Sequence, residues 1–191
     1  MFLPFIFSCL LVFAQQSHDS CGTWRWKVKT LTDSAGSALL SAKPVPTTID
    51  QLIIVKTPKV LRAISHSDGQ LPRYPRENQV VEISAYVIEV KNEDDHDLHF
   101  VLKSLTSDST MVGEIPDPSC PDYNGFPALR AYFQKIREDG MKVWDALKTN
   151  KKPVKVKITG VPFWDGAHSS RPIGASRYFR EIHPILTIGI Q

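Results

Sequence analysis

The chain has 191 residues, of which 42% are hydrophobic and 23% charged, and its formal net charge is +3. That length supports one domain with a real core plus an extension. The weak charge argues against a strongly basic nucleic-acid coat and leaves room only for a local basic groove.

The first 14 residues read as a secretory signal peptide. Phe2–Ala14 is apolar and ends in Val12-Phe13-Ala14 before Gln15, with small residues where a signal peptidase needs them. The segment lacks the usual basic n-region, and a buried N-terminal strand is the alternative. Cys9 lies inside the apolar run, which argues against a lipoprotein anchor. No later segment reaches the ~18 apolar residues of a membrane helix. The expected organisation is therefore a leader at 1–14, an N-terminal extension at 15–79 and a barrel domain at 80–191, secreted or periplasmic.

Beyond the leader stand two cysteines, Cys21 and Cys120. In an oxidising compartment an even pair reads as one disulfide, with two free thiols as the alternative. No CxxC occurs, so neither a redox motif nor a zinc-thiolate site is indicated.

Trp24–Thr30 alternates apolar and polar residues, as a half-buried strand does. Trp24, Trp26 and Val28 would share one face, and Arg25, Lys27 and Lys29 the other. Thr48-Ile49-Asp50-Gln51 fits a capping box and opens a short helix through Val55. The segment 57–78, with Pro58, Pro72 and Pro75, reads as a draped loop.

Three strand-like runs follow, Val80–Lys91, Asp97–Lys103 and Thr110–Ile115. The apolar face of the first changes midway, which predicts a bulge. Leu98, Phe100 and Leu102 form one face of the second run, and Met111, Gly113 and Ile115 one face of the third. A helix is expected over Phe126–Leu147, with Pro127 in its first turn and Asn124 as a candidate cap. Its stripe runs through Leu129, Tyr132, Phe133, Ile136, Val143, Trp144 and Leu147. Gly140 either lies within one helix or splits the segment into two. Two more runs, Val154–Thr159 and Glu181–Ile190, close the chain. The fold class is thus mainly β with one or two helices. The order β-β-β-α-β-β is that of a five-stranded OB barrel, whose ligand face is flanked by the loops after the first and fourth strands.

Those two loops carry most of the clustered polar chemistry. The first holds Glu93-Asp94-Asp95-His96-Asp97-Leu98-His99. Asp97 and His99 are two apart on a strand, so they share a face and are candidate metal ligands. Carboxylates suit Ca²⁺ or Mg²⁺, and imidazole suits Zn²⁺, Mn²⁺ or Fe²⁺. The plainer alternative is a solvated acidic turn. The second loop, 162–180, holds Trp164, Asp165, His168, Arg171, Arg177, Tyr178 and Arg180, and leads into Glu181 and His183. Rings beside guanidinium groups suit a phosphate-bearing or single-stranded ligand. The alternative is a set of hydrogen bonds that anchors the loop. Glu114, at the end of the third strand before Pro116 and Pro118, is a third candidate beside the reading of a rigid turn. No Gly-x-Ser-x-Gly, Walker, HExxH or Rossmann pattern appears.

Trp24–Asp33, the run Asp97–Leu102 with Met111–Cys120, and Gly160–Ile188 together resemble an uncharacterised family of exported bacterial proteins with an OB-like barrel. The resemblance covers most of the chain and implies export and fold. The strand order is also similar to that of the staphylococcal nuclease fold, whose members cleave phosphodiesters with Ca²⁺ held by carboxylates beside arginines. Its Asp-Gly-Asp-Thr run is absent here, and Asp94, Asp95 and Asp97 stand roughly in its place.

Two functional readings follow. One is a binding module for nucleic acid, polyanion or glycan through loops 92–97 and 162–180, with Trp164, Arg171, Arg177, Tyr178 and Arg180 as ligand contacts. The other is a divalent-metal-dependent hydrolase of the phosphodiesterase or nuclease type. Its catalytic residues would be drawn from Asp97, His99, Asp165, His168, Glu181 and His183, and it requires them to converge on one point.

Overall fold

The computed structural model describes residues 21–22, 24–62, 71–166 and 173–191. The expected leader, His168 and Arg171 lie outside the described residues. Among the described residues, no helix is long and apolar enough to cross a membrane.

A two-residue strand β1 (Val45–Pro46) precedes β2 (Val81–Asn92), β3 (Leu98–Lys103), β4 (Thr110–Ile115), β5 (Val154–Trp164) and β6 (Arg180–Ile190). The last five close into a barrel in the order β2-β3-β4-β6-β5, with β5 pairing back onto β2. All of these pairings are antiparallel except β4 with β6, and β1 adds a parallel edge to β2. This is the expected OB-like barrel, mainly β with one long helix and several short ones.

β2 serves two neighbours. Val81–Val87 pairs with β5, and Tyr86–Asn92 pairs with β3. The register shifts between Val87 and Glu89, where the sequence predicts a bulge. An extra residue there bends the strand around a small barrel. Alternation then sorts the side chains. Leu98, Phe100, Leu102, Met111 and Ile115 point into the main core, while His99, Val101, Val112 and Glu114 are buried outside it.

The long helix α5 (Pro127–Asn150) is continuous through Gly140. A Cβ at Gly140 would lie 2.8 Å from Ile115, 3.0 Å from Phe100 and 3.1 Å from Leu98. Glycine therefore lets the helix sit directly on the barrel end. Leu129, Phe133, Ile136 and Val143 complete that core. Asn124 does not cap the helix; its side chain instead accepts a bond from Arg130 at 2.8 Å.

The N-terminal segment departs most from expectation. Trp24–Thr30 is not a strand: Trp26–Lys29 forms a single helical turn, α1, entered through Arg25 at φ 48°. Trp24, Trp26, Val28, Arg25 and Lys29 are all buried. An alternating strand would leave Arg25 and Lys29 on the solvated face. Here long-range partners reward burying both cations, and local periodicity loses to tertiary contacts. Two short helices follow, α2 (Gly36–Leu40) and α3 (Ile49–Ile53), the latter capped by Thr48, whose hydroxyl accepts the Gln51 N–H as the sequence suggests. The segment read as a loop contains the helical turn α4 (Lys59–Arg62) and a 3₁₀ turn, Pro75–Glu77. Cys21 and Cys120 form a disulfide with their Cα atoms 5.9 Å apart, tying the N-terminal segment to the exit of β4.

Candidate functional site

The outward face of β3, β4 and β6 carries the chemistry. β3 supplies His99, with Asp97 immediately before it. β4 supplies Glu114, the Cα partner of His99 across the sheet. β6 supplies Glu181 and His183 and runs parallel to β4, with Val112 opposite Glu181. The two flanking loops add Glu93 and Asp165, and α1 reaches over the face to add Lys29. The two clusters therefore meet at one place.

Glu114 is the centre. One carboxylate oxygen, Oε1, lies 2.7 Å from His99 Nδ1, and the other, Oε2, lies 2.8 Å from His183 Nδ1. Glu93 Oε1 is 3.0 Å from the same His99 nitrogen. His183 Nε2 lies 3.3 Å from Asp97 Oδ2, and Nδ1 lies 3.3 Å from Glu181 Oε1. These His183 contacts are close, yet none is aligned as a hydrogen bond, and both ring nitrogens lack a hydrogen-bond partner among the described residues. Asp97 Oδ2, Glu181 Oε1 and His99 Nε2 are in the same condition. Asp97 is fixed from its other oxygen, which accepts the Asp117 N–H at 2.9 Å. The Lys29 ammonium stands 3.8 Å from Asp165 and 4.0 Å from Glu114, and faces the Phe163 ring at 5.5 Å.

Burial is the largest single influence on Lys29, Asp97, His99, Glu114, Glu181 and His183. It raises Asp97 to about 6, with Asp95 and Glu114 adding to it against the pull of His183. It raises Glu181 to about 7, helped by Asp165 and Glu114. Burial also opposes the charge on Glu114, but His183, His99 and Lys29 outweigh it and hold that carboxyl well below its usual range. Burial and Lys29 disfavour a proton on His183, yet Asp97, Glu114 and Glu181 prevail and raise it well above its usual value. His99 is raised by Glu114 and Glu93 against its burial. Lys29 keeps its charge despite burial, because Asp165, Glu181, Glu114 and Asp97 surround it.

A cavity of about 480 Å³ opens onto this face, lined by Glu93, His99, Glu114, Asp165, Glu181 and Lys29 among others. Asp97 and His183 are fully buried. Among the described residues, two three-residue groups have the donor set of a metal site, each with its ligand atoms within 4.8 Å of one another. They are Glu93–His99–Glu114, at the cavity wall, and Asp97–Glu114–His183. Carboxylate with imidazole suits Mn²⁺, Zn²⁺ or Fe²⁺ better than Ca²⁺, which prefers an all-oxygen shell.

Of the residues expected in the site, Asp97, His99, Asp165, Glu181 and His183 come together. Within the aromatic and arginine group, Trp164 does not offer the expected stacking face. Trp164 is buried at 3% exposure with the Arg180 guanidinium over its ring at 3.8 Å, and Arg180 is itself 1% exposed. Trp164 packs in the second apolar cluster with Trp24, Val28, Leu61 and Phe163, whereas Arg180 lines the cavity and its Nε and Nη1 have no hydrogen-bond partner among the described residues. Packing takes the faces of Trp164 before a ligand can reach them. Arg177 is exposed and lies against Tyr178, 5.5 Å from its ring centre. Sequence reasoning passed over Lys29, assigned to a solvated strand face, and gave Glu114 a rigid turn as its alternative. The signal for Glu114 was a lone carboxylate in the otherwise carboxylate-free strand Thr110–Ile115.

Fold and site together define an OB-like barrel with a carboxylate and imidazole cleft on the outward face of β3, β4 and β6. Comparison with protein-family models, with curated proteins and with solved structures finds no match for this chain.

Proposed function

We propose that this protein is an exported, divalent-metal-dependent hydrolase acting on phosphate esters, with phosphodiesters as the first class to test. The observation that carries this reading is the convergence of Glu93, His99 and Glu114 on the wall of a cavity that also presents Glu181 and Lys29. The disulfide and the N-terminal apolar run support export.

Glu93, His99 and Glu114 would hold the cation. A bound divalent ion lowers the pKa of water and neutralises charge on a phosphoryl oxygen. The protein's own groups do the rest. His183, packed between Asp97 and Glu181, faces the second oxygen of Glu114 at 2.8 Å and so limits how that ligand can turn. Glu181, which lines the cavity, takes one proton from the attacking water. The water oxygen adds to phosphorus, the bond from phosphorus to the leaving alcohol oxygen breaks, and that oxygen is protonated from solvent. The Lys29 ammonium offsets the negative charge that gathers on the phosphoryl group.

The test is hydrolysis of bis(p-nitrophenyl) phosphate by purified residues 15–191, with Mn²⁺ or with EDTA. Turnover that EDTA abolishes and that Glu114→Gln reduces by at least about 100-fold is expected. Metal-independent turnover, or full activity in Glu114→Gln, refutes the reading. The exposed Arg177 on Tyr178 favours a second reading, a polyanion-binding module. A gel shift with labelled DNA or RNA in EDTA, lost in Arg177→Ala, would select it.

A further inference from the structure

The cavity-wall ligands account for one oxygen of Glu114, and the remaining donors make a separate set. Asp97 Oδ2, Glu114 Oε2 and the His183 ring surround one point beneath the cavity. Asp97 and His183 are 0% exposed. Neither His183 nitrogen nor Asp97 Oδ2 has a hydrogen-bond partner among the described residues. The carboxylates 2.8 to 3.3 Å from His183 offset only part of the desolvation cost of this buried set, because none is aligned as a hydrogen bond, and a cation would complete it. The surroundings hold Asp97 firmly through the Asp117 N–H and wedge His183 against the Phe163 ring at 5.8 Å. The donors are therefore fixed in place and point inward.

We infer that Asp97, Glu114 and His183 bind a second divalent cation, and that Glu114 bridges the two ions, one oxygen to each. This inference rests on the hydrolase reading of the cavity. The evenly divided carboxylate is what a bridge requires: Oε1 faces His99 and Oε2 faces His183. Two adjacent cations define the substrate class more narrowly. Such pairs clamp both the attacking and the leaving oxygen of an in-line displacement at phosphorus, which fits phosphate esters better than glycosides. Positive groups nearby compete with the ions: Lys29 is 4.0 Å from Glu114, and Lys91 is 2.9 Å from Glu93. The Lys91 side chain is 37% exposed and can turn to solvent, so the outer position loads without rearranging the core.

The experiment is metal stoichiometry on residues 15–191, by equilibrium dialysis against Mn²⁺ with elemental analysis. Two ions per chain are expected, falling to one in Asp97→Asn and in Glu93→Gln, each removing a different ion. Asp97→Asn keeps the acceptor for the Asp117 N–H, so its fold should survive, and circular dichroism checks this. A spin-coupled Mn²⁺ spectrum in the unmodified protein is the second expected result and needs no variant. One ion per chain with the spectrum of an isolated centre overturns the bridge and leaves the one-metal hydrolase standing. No bound Mn²⁺ together with no hydrolysis overturns both.

Discussion

Two buried charge clusters lie on either side of one helical turn, and they are built on opposite plans. Arg25, before α1, is saturated. Its guanidinium donates to both Glu77 oxygens and to the carbonyls of Leu71, Pro72 and Trp164. Glu77 in turn accepts the N–H groups of Tyr74 and Trp164, at 2.8 and 3.0 Å. Four residues on, Lys29 reaches a cluster whose imidazoles and carboxylates are close together and poorly aligned. The first cluster has nothing left to bind, while the second keeps donors in reserve. Saturation marks a buried ion pair as a fastener, and shortfall marks it as a site.

Breaking the fastener should have the largest effect. Arg25→Ala or Glu77→Ala leaves an unpaired buried charge and should cost about 3–5 kcal/mol in urea denaturation. A loss under about 1 kcal/mol would show that saturation is not what distinguishes the two clusters. Removing the disulfide with Cys21→Ser and Cys120→Ser should cost about 2–4 kcal/mol. It frees the segment that carries both Arg25 and Lys29, so the same denaturation series measures the tether they share.

The site should respond the other way. Asp97→Asn removes a charge that the fold does not fully satisfy, so its stability should stay within about 1 kcal/mol of the parent. Mn²⁺ affinity, by titration calorimetry, should fall about 10- to 100-fold. A variant that loses several kcal/mol and binds Mn²⁺ normally would make this cluster a second fastener.

The smallest effect sharpens the contrast with an exposed clamp. Asp50 accepts bonds from Ser104, Thr106 and Ser107, which tie α3 to the β3–β4 turn. Those bonds, Ser104 first, lower its carboxyl from 3.8 to about 2. A carboxyl lowered in the folded state adds stability above its unfolded value and loses it as pH falls through the folded one. Solvent screens this carboxylate, so Asp50→Asn should cost no more than about 1 kcal/mol at neutral pH, and the difference should vanish between about pH 4 and pH 2.

The barrel was legible because its signals are local. Alternation placed Leu98, Phe100 and Leu102 inward, the face change in β2 placed the bulge, and Thr48 with Gln51 placed α3. Asp97 with His99 and Glu181 with His183 were legible for the same reason, since residues two apart on a strand face one way. Trp164 was misread because a ring beside a guanidinium reads alike whether its face is open to a ligand or covered, as it is here by Arg180. Only burial separates the two cases, and burial is a property of the whole chain.

The sequence by itself determined the strand order, the helix between the third and fourth barrel strands, the cysteine pair and the two loops that flank the site. Each follows from periodicity, turn chemistry or residue type within a short window. Tertiary structure alone decided that Glu114 stands between two imidazoles, that Lys29 crosses the cleft on a helical turn, and that Arg25 belongs to the fastener rather than the site. Those outcomes depend on the parallel pairing of β4 with β6 and on contacts such as Arg25 with Glu77, 52 positions apart. No local pattern encodes a partner at that distance, because the free energy that selects it comes from burial shared by the whole fold.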